Sequence, residues 1–107
     1  SNTGFITNNA PVQSVETGIT LVEQSTAEND YARHIYIMLT ATSAKSVFTD
    51  LATLRSQYAP KYNAQIMGMS TLDQKSCLFY ISSTGKIQAS KPISANETYR
   101  ISGVFVK

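Results

Sequence analysis

The chain has 107 residues, 42% of them apolar and only 15% charged, with a formal net charge of +2. This is the length of one domain, too apolar for a disordered chain, and so small that a partner subunit would help complete its core. Arg33, Arg55 and Arg100 are scattered, which argues against the basic stripe that a nucleic-acid partner needs, and one cysteine with one histidine leaves neither an intrachain disulfide nor a zinc cluster.

Residues 1–13 read as an N-terminal arm or linker, with Gly4, Asn8-Asn9 and Pro11 and few apolar anchors; Phe5 and Ile6 are the ones that can pack. The opening has no basic start followed by an apolar run and does not read as a signal peptide. A Ser1-Asn2 start without Met reads as a trimmed one, with a leader or longer upstream protein removed. The remainder, 14–107, reads as the folded domain. Residues 19–23 (ITLVE) form a short strand entered through Gly18, and 24–30 (QSTAEND) form a polar turn. The strongest strand of the first half is 31–42: Tyr31, Ile35, Ile37, Leu39 and Ala41 share one face, which Arg33 interrupts. Its other face, Ala32, His34, Tyr36, Met38 and Thr40, is mixed and calls for partial cover.

Residues 47–58 (VFTDLATLRSQY) are ambiguous. Val47, Leu51, Leu54 and Tyr58 recur at helical intervals, while Thr49 and Thr53 suit a strand; the period alone favours one short helix, ended by Pro60. Residues 62–69 form a strand with Asn63, Gln65 and Met67 on one face, and 70–74 turn the chain. Residues 75–82 form a clear strand, 83–85 a tight turn with Gly85 at positive φ, and 86–89 the return strand. Pro92 marks an edge or turn, and 94–97 another turn. The last strand, 98–106, puts Tyr99, Ile101, Gly103 and Phe105 on the core face; Gly103 in mid-strand predicts a bulge or a closely packed neighbour. Six to eight short strands between polar turns close as an all-β, small antiparallel β-sandwich, jelly-roll-like, with room for one short helix near 47–58.

No catalytic residues, metal ligands or cofactors are expected. Glu28 and Asp30 read as a solvated loop, Cys77 as an inert core thiol beside Leu78 and Phe79, and His34 as a strand-surface residue. No phosphate-cradling glycine loop, nucleophile elbow or HExxH is present. Asn96-Glu97-Thr98 matches a glycosylation acceptor tripeptide. No stretch has the length of a membrane helix, so no membrane insertion is expected. The six tyrosines carry the binding potential, since tyrosine stacks on sugar rings and offers a hydroxyl. Tyr36, Tyr58, Tyr62 and Tyr80 are the candidates for exposed ligand-binding positions. Tyr62 and Asn63, just after a proline-marked turn, have the best claim to a loop-edge site.

Three segments carry a resemblance: 51–60 (LATLRSQYAP), 80–87 (YISSTGKI) and 99–107 (YRISGVFVK). Over residues 19–107 the chain resembles the small C-terminal head or accessory β-sandwich domains of bacteriophage tail fibres, baseplate proteins and related virion fibres. Tyr58-Ala59-Pro60 matches the family's turn ending; Ile81, Gly85 and Ile87 match its hairpin; Tyr99, Ile101, Gly103 and Phe105 match its last strand. Arg55 departs from the pattern, which has proline there. The resemblance favours a strand over 47–54 and implies a homotrimer in the virion, contacting other virion proteins and a bacterial cell-surface glycan or envelope component. It supplies no family-wide binding residues. Host recognition is thus the leading expectation. A purely structural connector or decoration domain is the second, and a non-viral carbohydrate-binding or adhesion module the third.

Overall fold

Period-2 alternation governs this chain, and a computed structural model describes residues 6–8, as backbone alone, and 10–107. Its strands are β1 (Ile6–Asn8), β2 (Val12–Val15), β3 (Ile19–Glu28), β4 (Ala32–Ala41), β5 (Asp50–Leu54), β6 (Ala64–Ser70), β7 (Ser76–Ile81), β8 (Lys86–Ala89) and β9 (Glu97–Val106). The fold is all-β, with one 3-10 turn, Ser56–Tyr58, as the helical element among the described residues. Of the expected arm, Ser1–Phe5 and Asn9 lie outside the described residues; β1 pairs with β3, and Val12 opens β2.

The strands form one antiparallel sheet in the order β1-β3-β4-β9-β6-β7-β8-β5-β2. Its edge strands β1 and β2 are near neighbours in sequence, so the sheet must curl until its edges approach. At the closure the buried Val12 donates its N–H to Gln24 Oε1 of β3 at 2.8 Å, a side chain doing what a ladder bond would otherwise do. The molecule measures 45 × 24 × 20 Å, a cross-section that fits two layers about 10 Å apart, filled by side chains. Ile35, Ile37, Leu51, Leu54, Phe79, Ile81, Ile87 and Ile101 form the driest part of that filling, and Phe79 meets Tyr99 edge-on at 5.4 Å.

Strand β4 alternates as its sequence does: Arg33, Ile35, Ile37, Leu39 and Ala41 are buried and the residues between them only partly so. Arg33 stays on the core face, 4% exposed, because Glu28 pairs with its guanidinium at 3.1 Å and the Tyr58 ring lies 5.1 Å beneath it. Strand β9 buries Tyr99, Ile101 and Phe105 as expected. The predicted close neighbour of Gly103 is Ile66, whose Cγ2 lies 2.6 Å from where a β-carbon would stand. The hairpin turn also matches: Gly85 has φ 89° and donates its N–H to the Ser82 carbonyl at 2.8 Å.

Two local expectations need correction. Residues 24–28 are strand, not turn: they pair with β4 from Gln24↔Ile37 to Glu28↔Arg33. Their polarity is absorbed locally, since the buried Thr26 hydroxyl donates to the His34 carbonyl at 2.8 Å. The turn shrinks to 29–31, where Asn29 Oδ1 accepts the N–H groups of Tyr31 and Ala32, at 2.9 Å each. Of the strand expected over 47–54 only Asp50–Leu54 forms. Val47 is exposed before it, Tyr58 is buried by the 3-10 turn, and the Leu51–Leu54 step of the helical stripe comes from a bulge. A register shift between Asp50 and Ala52 lets Leu51 and Leu54, three apart, both face the core from a strand. Arg55, where the family pattern has proline, holds φ −58°, a value that proline itself favours.

Candidate functional site

The β7–β8 hairpin sets Tyr80 opposite Gln88, and the β6–β7 ladder sets Gln65 opposite Tyr80. Gln65, Tyr80 and Gln88 therefore form a row straight across three strands. Side chains alternate along a strand, so Ser82 and Lys86 stand on the same outer face one step along. The turn before β5 leans over this row. There Phe48, 57% exposed, donates its N–H to the Ala89 carbonyl at 3.0 Å, with its ring centroid 5.7 Å from that of Tyr80 and the planes inclined at 39°. Phe48 has φ 56°, a left-handed conformation that costs a bulky residue about 1–3 kcal/mol. Together with Asn63 these residues line an open cleft of about 350 Å³.

The polar groups of the cleft are oriented but not used up. Gln88 Nε2 donates to Asp50 Oδ1 at 2.8 Å, which leaves its Oε1 as an acceptor. Asn63 Oδ1 accepts the Ser83 N–H at 2.9 Å, which leaves its Nδ2 as a donor. The side chains of Gln65 and Lys86 have no partner among the described residues. Two rings with unspent amides and an ammonium suit a hydroxyl-rich ligand that has an apolar face. A second hollow of about 310 Å³ lies on the other flank of β6, lined by Tyr62, Asn63, Gln65, Val104 and Val106. A third, of about 430 Å³, lies between 44–47 and 92–94. It has no aromatic wall, and the Lys45 ammonium there is engaged by the Thr17 carbonyl, so it offers less to a ligand.

The five residues predicted from sequence are distributed unevenly. Tyr80 and Asn63 meet in the cleft. Tyr62, 64% exposed with Lys61 Nζ 5.5 Å over its ring, stands in the adjoining hollow. Tyr36 lies on β4 and is half-buried; its hydroxyl donates to Glu23 Oε1 at 2.6 Å. That bond, together with burial, raises its pKa. Tyr58 is 8% exposed where an exposed ring is expected, because the 3-10 turn tucks it under Arg33. Phe48, Gln65, Lys86 and Gln88 escaped the sequence reading. The hairpin turn fixes Tyr80 opposite Gln88, so Gln88 was within reach of register arguments; Phe48 sits in the turn before β5, outside any strand register, and was not.

Among the described residues no three His, Cys, Asp or Glu side chains come together to hold a metal. His34 Nε2 lies 2.9 Å from Ser102 Oγ, and the Cys77 thiol is buried. Among the described residues no helix is long and apolar enough to cross a membrane. The chain matches no protein-family model, and no curated protein matches it significantly.

Proposed function

We propose that this protein is a virion fibre or baseplate domain that recognises a saccharide of the bacterial host surface through the cleft between Phe48 and Tyr80. The observation that carries recognition is Phe48: an exposed ring, kept in a costly backbone conformation, where it faces a second ring and unspent amides. Backbone strain of this kind collects at ligand sites, where the position of the side chain offsets its cost. The virion setting rests on the resemblance carried by 51–60, 80–87 and 99–107.

The domain acts as a homotrimer. Val22, Met67, Met69 and Leu72 are exposed apolar side chains that a neighbouring subunit would cover, and three weak sugar sites on one trimer gain avidity. Light scattering of the purified chain is expected to give three times the 11.7 kDa protomer mass. A monomer at high micromolar concentration would overturn the trimer.

Recognition is tested on an array of bacterial envelope glycans and by pull-down of host cells. Binding that disappears in Phe48→Gly supports the reading. Silence against the correct host envelope moves the role to a structural connector or decoration domain. Glycan binding by a chain that never trimerises points to a carbohydrate-binding module outside a virion.

A further inference from the structure

The cleft shares Asn63, Ala64 and Gln65 with the hollow on the other flank of β6. The two are therefore halves of one groove on the outer face of the sheet. Its floor follows the row Gln88–Tyr80–Gln65 across three strands, and Val104 of β9 lines the second half with Gln65. Four strands give three spacings, a floor about 14 Å long. One spacing is close to the advance per residue of an extended β-linked glycan, so successive sugars would fall on successive strands. Rings stand toward both ends, Phe48 and Tyr80 in one half and Tyr62 in the other, with the amides of Asn63 and Gln65 between them.

Among the described residues Lys86 is the one charged side chain that lines the groove. Its ammonium has no partner among the described residues, and Lys61 Nζ lies over the Tyr62 ring beside the second half. Among the described residues no carboxylate lines either half; Asp50, outside the lining, accepts from Gln88. On the reading that the cleft binds sugar, we infer that the whole groove takes an acidic oligosaccharide of about three units, with an anionic substituent, carboxylate or phosphate, at Lys86.

The test is isothermal titration of the full chain with oligosaccharides of one to six units. Alginate fragments supply carboxylates, phosphomannan fragments supply phosphates, and chitin and cellulose fragments are neutral. Affinity is expected to rise with length to three or four units and then level off. An acidic series is expected to bind about tenfold tighter than the neutral ones, the worth of one charge-assisted hydrogen bond. Which acidic series wins identifies the anion. Lys86→Met should erase that preference, and Tyr62→Ala should weaken the tetramer and leave the dimer unchanged. Affinity independent of length, a neutral preference, or an unaffected Lys86→Met would overturn the inference. If Phe48→Gly still abolished binding in those cases, saccharide recognition itself would stand. Silence from all four series would overturn both.

Discussion

At φ 56° Phe48 works against its own backbone, and in return it gains only partial cover, being 57% exposed. Glycine would relieve the strain there and give back part of the gain as unfolded-chain entropy. Phe48→Gly should therefore leave stability unchanged or raise it by about 1 kcal/mol while removing ligand binding. Urea denaturation measures the first, and a clear loss of stability would show that the ring is structural. Gly103 makes the opposite case. A β-carbon there would meet Ile66 Cγ2 at 2.6 Å and Cβ at 2.8 Å, and Ile66 is buried and stiff at its branch. Gly103→Ala should cost about 1–3 kcal/mol with an unchanged denaturant slope. An unaffected midpoint would mean that the β6–β9 contact is looser than these distances imply.

Elements differ in how far their sequence announced them. Strands β4 and β9 were legible because their buried residues, five in β4 and Tyr99, Ile101 and Phe105 in β9, all fall on alternate positions, and the β7–β8 hairpin because Gly85 marks its turn. The second half of β3 was not, because its polar residues are satisfied by β4 and by Thr26's bond to a carbonyl, which no local pattern records. Half of the candidate site was legible for a related reason. Tyr80 and Asn63 stand out by type and place, whereas the roles of Phe48 and Lys86 depend on which strands lie beside them. The sheet closure also rests on a contact distant in sequence, Gln24 to the Val12 N–H. Truncating Gln24 leaves a buried donor without an acceptor, so Gln24→Ala should cost about 1–3 kcal/mol and speed hydrogen exchange at Val12. Unchanged exchange there would mean that the β2 edge is held by β5 alone.

At the scale of the whole molecule, stability should be bounded on both sides of neutral pH by groups whose fold holds one protonation state. Glu28 gathers Lys107 and Arg33, and the Lys107 hydrogen bond, with the Arg33 bond and both positive charges adding, lowers its pKa despite partial burial. A carboxyl depressed in the fold contributes stability that is present above its unfolded pKa, near 4.5, and is lost as pH falls through the lower folded value. Tyr99 has the reverse sign. Burial foremost, then the Glu97 charge, pushes it from 10.0 up to about 12. Between those values the unfolded chain has released a proton that the folded chain still holds, so stability falls as pH rises. The Tyr36 phenol, also raised, adds to the same limb. Denaturation midpoints measured from pH 3 to 11 should thus form a plateau with losses at both ends. Glu28→Gln should flatten the acid limb, and Tyr99→Phe should leave only the shallower alkaline loss due to Tyr36. An acid limb as steep in Glu28→Gln as in the parent would place the sensitive carboxylate elsewhere, and the Lys107–Glu28–Arg33 cluster would then contribute nothing to acid resistance.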